Sequence, residues 1–153
     1  MKKQSILSII YPDNEIYIKK FSFSPKTLSI KVACVVPVQG YGKQDIPYVT
    51  AENYVRCLSQ TSYLLAHYVL KKKLIPIGVS EEVFLKAMEA WELYYRNLSM
   101  TFHHRSKRGE RFEMELSLKN FREIKSLKDY ILFTFSNKKT VISGEMSFVF
   151  LKK

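Results

Sequence analysis

The sequence has 153 residues, of which 46% are hydrophobic and 14% aromatic. This composition suits one globular domain and argues against a disordered chain. The 25 Lys and Arg residues outnumber the 14 Asp and Glu residues, so the formal net charge is +11 at pH 7. Such an excess predicts anionic partners. Nucleic acid and small phosphate-bearing or acidic ligands remain open, as does a basic surface that serves only solubility.

The sequence does not favour a membrane or secreted protein. The apolar run that follows Met1 is too brief for a secretion signal, and no run is long enough to span a bilayer. The two cysteines, Cys34 and Cys57, have neither a metal-ligand spacing nor a disulfide framework. We therefore expect a single domain over residues 1–153 in the reducing cytoplasm.

The N-terminal third reads as strands and a loop. Two apolar runs flank the turn cluster at 12–14, which predicts a hairpin over about 5–23. Residues 27–37 are rich in β-branched side chains and predict a strand. Residues 38–48 contain two glycines and a proline, so we expect a loop there.

A long helix is predicted over about 50–72, with Thr50 as its N-cap and a lysine run at its end. Between residues 57 and 70 its one ionisable side chain other than thiol or phenol is His67. A surface helix needs a polar face, so this helix must be wrapped on most sides. Ser80 and the acidic residues after it predict a second, short amphipathic helix.

From Leu93 onward the hydrophobic period changes to two, which indicates antiparallel strands. The basic segment 105–111 reads as a hairpin tip between the first two of these strands. Two more strands are expected at 127–135 and 140–151. The alternation assigns four aromatic side chains to the core: Phe102, Phe112, Phe133 and Phe148.

This order of elements predicts an α+β protein in which a curved antiparallel β-sheet wraps a long buried central helix, as in the hotdog fold. Gln60 and Thr61 match the central-helix motif of β-hydroxyacyl carrier-protein dehydratases, and Gly109-Glu110 is similar to the Gly-Asp pair of hotdog thioesterases. Within the superfamily the chain most resembles the FcoT-like acyl thioesterases. That resemblance rests on Tyr41, the helix start at Thr50, and the spacing of Cys57 and Gln60.

The resemblance implies binding and hydrolysis of acyl thioesters of coenzyme A or of an acyl carrier protein, in fatty acid or polyketide metabolism, without a cofactor. We also expect a homodimer or a dimer of dimers, because a single small sheet leaves an exposed edge and half a cleft. The chain departs from the dehydratases, since Arg56 stands in place of their catalytic Glu and Tyr41-Gly42 in place of their catalytic His. FcoT-like asparagines align with Thr50 and Ser59.

A thioester carbonyl at the helix N-terminus would meet backbone N–H groups, and a nearby carboxylate could activate water. Glu52, or failing that Asp45, is the carboxylate at this place. The catalytic candidates are Tyr41, Thr50, Glu52 and Ser59, and the substrate-binding candidates are Tyr48, Asn53, Arg56, Gln60, Lys107 and Arg108.

Each candidate has a structural alternative. Thr50 and Glu52 suit a helix cap and a dipole partner, Arg56 an internal ion pair, and Gln60 a partner for buried backbone. Lys107 and Arg108 suit a solvated turn.

We interpret Cys57 as a buried structural thiol and His67 as a packed core histidine. His103 and His104 lie on opposite strand faces, so no metal site is expected. Hydrolysis ranks first, ahead of dehydratase-like chemistry and non-catalytic acyl binding. A nucleic-acid-binding module ranks last, because the alternation places the strand aromatics inside.

Overall fold

A computed structural model describes residues 6–38, 40, 41, 44–124 and 130–151, with the backbone alone at 40, 41, 44 and 45. The elements in chain order are β1 (Ile18–Ser24), β2 (Ser29–Val35), β3 (Gly40–Tyr41), β4 (Gln44–Asp45), α1 (Ala51–Lys71), α2 (Glu81–Glu89), β5 (Leu93–Phe102), β6 (Arg111–Glu123), β7 (Tyr130–Asn137) and β8 (Ile142–Leu151).

Among the described residues, six strands form an antiparallel sheet in the order β1-β2-β6-β7-β8-β5, and β3 and β4 pair separately. Helix α1 packs against β1, β2 and β6, and α2 packs against α1 and β8. The prediction of an α+β protein with a long buried helix on an antiparallel sheet is confirmed.

The start of α1 is as the sequence predicts. Thr50 Oγ1 accepts from the Asn53 backbone N–H at 3.4 Å, and Asn53 Oδ1 accepts from the Thr50 N–H at 3.1 Å. This reciprocal capping box satisfies donors that the first helical turn leaves without partners. The cap sets where the helix begins, and therefore where its N-terminal N–H groups point.

A helix rich in Ser and Thr can be buried here because its hydroxyl groups bond to its own backbone. Thr61 Oγ1 donates to the Cys57 carbonyl at 2.6 Å, and Ser62 Oγ donates to the Ser59 carbonyl at 2.8 Å. Hydroxyls satisfied in this way cost little to bury. The wrapped helix expected from the sequence is therefore compatible with its polar content.

The predicted N-terminal hairpin over about 5–23 is wrong. Ile6–Ile9 and Asp13–Glu15 form 3-10 turns, and β1 pairs with β2 instead. The apolar residues of the first run do not alternate with polar ones, so they cannot form a half-buried strand. They pack as a turn whose Leu7 is buried in the core.

The predicted hairpin tip at 105–111 is also wrong. β5 pairs with β8, whereas β6 pairs with β2 and β7, so the segment crosses from a sheet edge to its middle. Of the four aromatics assigned to the core, Phe112, Phe133 and Phe148 are buried, but Phe102 is 50% exposed. The face of β5 is only half covered at Phe102, because β5 packs chiefly against its neighbour β8 in the sheet.

Candidate active site

A groove of about 690 Å³ follows the exposed side of α1 from its first turn. Its polar side chains include Glu15, Glu52, Arg56 and Ser59. Its apolar and aromatic walls come from the N-terminal turn, α1, α2 and β5, through Ile10, Tyr11, Val55, Tyr63, Met88, Trp91, Leu93 and Tyr95. Such a lining, mostly apolar with a few convergent polar groups, is typical of a small-molecule site. Three of the predicted site residues, Glu52, Arg56 and Ser59, meet in it.

Arg108, which does not line the groove, holds the N-terminus of α1 in place. This arginine is 7% exposed, and its guanidinium donates to Asn53 Oδ1 at 2.9 Å, to the Tyr48 carbonyl at 3.2 Å and to the Pro37 carbonyl at 3.3 Å. A buried guanidinium with internal acceptors positions the loop and the helix start. We therefore leave Arg108 out of the ligand-binding set.

Two other substrate-binding candidates make internal contacts. Gln60 is fully buried, where it accepts from the Tyr17 N–H at 2.9 Å and donates to the Glu15 carbonyl at 2.7 Å. These bonds agree with the alternative that Gln60 satisfies buried backbone. Arg56 pairs with the Glu15 carboxylate at 2.9 Å, with both side chains partly exposed at the groove.

Ser59 is the centre of a hydroxyl cluster that the sequence analysis missed. Its Oγ donates to the Val55 carbonyl at 2.8 Å and accepts from the Tyr95 hydroxyl. The Tyr63 and Tyr95 hydroxyls lie 3.1 Å apart, and Tyr11 lines the same groove. One feature of the sequence indicated part of this cluster: Ser59 and Tyr63 are four residues apart and therefore share a helix face.

Burial raises the pKa of the Tyr11, Tyr63 and Tyr95 hydroxyls, and the neighbouring Tyr95 raises the pKa of the other two further. Each phenol therefore stays protonated at neutral pH. These groups are hydrogen-bonding groups in the groove and cannot serve as its general base.

The remaining predicted residues lie around the helix start. The ring of Tyr48 lies under the Arg105 guanidinium at 4.6 Å, and Tyr48 forms a backbone bridge with Lys107, which is exposed. The side chains of Tyr41 and Asp45 lie outside the described residues, although their backbones belong to β3 and β4.

Neither Cys57 nor His67 offers a nucleophile or a base to the groove. Cys57 is fully buried, and burial raises its thiol pKa, as does the neighbouring Cys34 thiol. His67 is 6% exposed with Nδ1 3.3 Å from the Glu81 carboxylate, and burial lowers its pKa.

Over the described ranges, no three His, Cys, Asp or Glu side chains are grouped to hold a metal. In the same part of the chain, no helix combines the length and apolar composition needed to cross a bilayer.

No family model matches this sequence, and no curated protein matches it either. Solved structures do match. A phenylacetic acid degradation-related protein from Ralstonia eutropha, described as a candidate thioesterase, is 10% identical over 85% of this chain and 81% of its own, with a TM-score of 0.51. A sigma28-regulated virulence protein of Campylobacter jejuni is 8% identical over 97% of this chain and 98% of its own, with a TM-score of 0.49. A thioesterase superfamily protein is 10% identical over 81% of this chain and 49% of its own, with a TM-score of 0.39.

The first of these likenesses, together with the helix and the six-stranded antiparallel sheet, shows the fold alone: the chain has the hotdog fold. Folds of this kind carry different chemistries at their sites, so the function has to be argued from the groove.

Proposed function

We propose that this protein binds acyl thioesters of coenzyme A or of an acyl carrier protein and hydrolyses them. The observation that carries the proposal is the groove of about 690 Å³, which begins at the N-terminus of α1 beside Glu52 and continues between apolar walls. A thioester needs both parts: a polarising end for its carbonyl and an apolar channel for its acyl chain.

The chemistry follows from the helix start. The thioester carbonyl oxygen lies at the N-terminus of α1, ahead of the capped Asn53 N–H, and the partial positive charge of this helix end stabilises the oxyanion of a tetrahedral intermediate. Glu52 takes a proton from a water molecule as that water attacks the carbonyl carbon. The carbon–sulfur bond then breaks, the thiolate leaves and takes up the proton, and a carboxylic acid remains. Thr50 and Asn53 hold the helix start in place through the capping box.

The carrier is recognised by charge. The net charge of +11 attracts coenzyme A phosphates or an acidic carrier protein from a distance. Arg105 and Lys107 are exposed in the segment after β5. This segment pairs through Lys107 with Tyr48, which lies just before the start of α1. Arg56, paired with Glu15 inside the groove, orients polar groups of the substrate there.

A second copy of the chain covers the groove side of β5 in this proposal. Two apolar side chains on this face of the edge strand are exposed, Leu98 at 37% and Phe102 at 50%. An exposed apolar edge strand pairs readily with another strand. Pairing of β5 with the β5 of a second copy makes a homodimer and closes the open side of the groove.

The test is release of free thiol from saturated acyl-CoA and acyl-carrier-protein thioesters of short, medium and long chain. We expect hydrolysis with a maximum at one chain length, because the groove has a finite volume. Tight binding without thiol release at every length would make this a non-catalytic acyl-binding protein. Stronger salt-dependent retention on single-stranded nucleic acid than on either carrier would overturn the proposal.

A further inference from the structure

The hydroxyl cluster of the groove has a fixed direction of hydrogen bonding. The Val55 carbonyl can only accept, so the single Ser59 proton is on that bond. Ser59 Oγ must then accept the proton of Tyr95. Since the Tyr95 proton is used in this way, Tyr63 must be the donor in the Tyr63–Tyr95 pair.

The hydroxyl protons of Ser59, Tyr95 and Tyr63 are therefore all used in hydrogen bonds within the protein. The phenol oxygens still have lone pairs that can accept. The hydrogen bonds run from Tyr63 to Tyr95 to Ser59, so the Tyr63 oxygen accepts from no other member of the cluster. Tyr63 also lines the groove. A ligand hydroxyl can donate to this cluster without breaking a bond. A ligand carbonyl needs a proton from it, and must break one.

The place of the cluster along α1 gives the position of that hydroxyl. Ser59 follows Glu52 by seven residues, which corresponds to about 10 Å along the helix axis. An extended chain of about ten carbons covers this distance, since each carbon–carbon bond of about 1.5 Å advances a zigzag chain by somewhat less than its length. The apolar walls beside α1 suit the methylenes between.

We infer that the acyl group carries a hydroxyl near its far end, and that this hydroxyl donates to the Tyr63–Tyr95–Ser59 cluster. The inference rests on the proposed function, because the thioester at the helix N-terminus sets the distance. The groove selects a hydroxyacyl chain over both the unsubstituted chain and the oxo chain of the same length.

The experiment compares equilibrium binding of 10-hydroxydecanoyl-CoA, 9-oxodecanoyl-CoA and decanoyl-CoA. We expect the hydroxy compound to bind the unmodified protein about 3- to 10-fold more tightly than the other two, the usual net effect of one hydrogen bond. Equal affinity for the hydroxy and unsubstituted compounds, or tighter binding of the oxo compound, would overturn the inference.

The variant Tyr95→Phe tests the direction of the bonds. It removes the acceptor of the Tyr63 proton, so Tyr63 becomes able to donate to a ligand carbonyl. The ratio of hydroxy to oxo affinity should fall to about one in Tyr95→Phe and stay unchanged in the control Tyr130→Phe, which lies outside the groove.

In the double variant Tyr63→Phe/Tyr95→Phe the hydroxy compound should lose its advantage over decanoyl-CoA. Retention of the unmodified ratios in all variants would show that the cluster does not contact the chain.

Free 10-hydroxydecanoate and decanoate separate this inference from the proposed function. A preference for the hydroxy acid that Tyr63→Phe/Tyr95→Phe abolishes, in a protein that binds no acyl-CoA, would support the hydroxyl site and reject the coenzyme A carrier. Hydrolysis of decanoyl-CoA without any hydroxyl preference would support thioester hydrolysis and reject the hydroxyl site.

Discussion

Arg108 and Asn53 join the segment after β5 to the first turn of α1, through a hydrogen bond of 2.9 Å between Nη2 and Oδ1. Asn53 is the same residue that closes the capping box with Thr50. The position of the helix N-terminus, on which the proposed oxyanion stabilisation depends, is therefore fixed by a side chain 55 residues away along the chain.

Arg108→Met should lower the free energy of unfolding by about 2–3 kcal/mol, because it leaves the buried Asn53 and two partly buried carbonyls without a charged donor. The measurement is urea denaturation. The neighbouring Lys107→Met removes an exposed charge and should change stability by less than about 0.5 kcal/mol. Equal losses in the two variants would show that the Arg108 contacts contribute nothing specific.

Glu52→Gln should lower turnover of an acyl thioester by about 10²–10⁴-fold, the usual effect of losing a general base. Acyl-CoA affinity should hardly change, since the amide keeps the shape of the side chain. Glu82→Gln is the matched control, because Glu82 occupies the first turn of α2 away from the groove. Unchanged turnover in Glu52→Gln would remove that residue from the mechanism and leave Ser59 as the groove residue that positions water.

Sedimentation of the unmodified protein should give a mass near twice the 18.0 kDa of one chain. Leu98→Asp should shift the mass to that of a monomer, because it places a carboxylate in the apolar edge of β5 and opposes the same charge on the second copy. Ser22→Asp puts a carboxylate on the opposite edge strand, β1, and should leave the dimer intact. A stable monomer of unmodified protein at micromolar concentration would contradict both the dimer and the covered groove.

Trp91 lies in the left-handed region with φ of 58°, just after the last turn of α2, and its side chain is 67% exposed on the groove wall. Trp91→Gly should raise the free energy of unfolding by about 1 kcal/mol, because glycine adopts this conformation without strain. Acyl binding should weaken about fivefold through loss of apolar contact.

Lys73→Gly is the control for Trp91→Gly, since Lys73 has φ of 52° but does not line the groove. It should raise stability similarly and leave acyl affinity unchanged. If Trp91→Gly kept full affinity, Trp91 would be a strained surface residue without a part in binding.

The central helix and the C-terminal strands could be predicted because their information is local. Thr50 caps α1 through a residue three positions away, and apolar side chains in β6 alternate over consecutive positions. Such patterns depend on the period of a helix or a strand and on little else. The hotdog fold followed from their order.

The partners of each element depended on contacts far apart in the sequence. Alternation in β5 is the same whether or not another element covers the face of the strand, so it could not show that Phe102 is exposed. Nor could it show that β6 pairs with β2 instead of β5.

Some residues of the candidate site could be predicted from the sequence, whereas the contacts between elements could not. Glu52, Arg56 and Ser59 were found from the sequence because one helix carries them at helical spacing. The bond from Tyr95 to Ser59 joins β5 to the helix. A hydrogen bond forms between side chains that packing brings within about 3 Å, whatever their separation in the chain. The sequence by itself therefore determined the helix and its polar residues, and only the tertiary structure decided which of them meet in the groove.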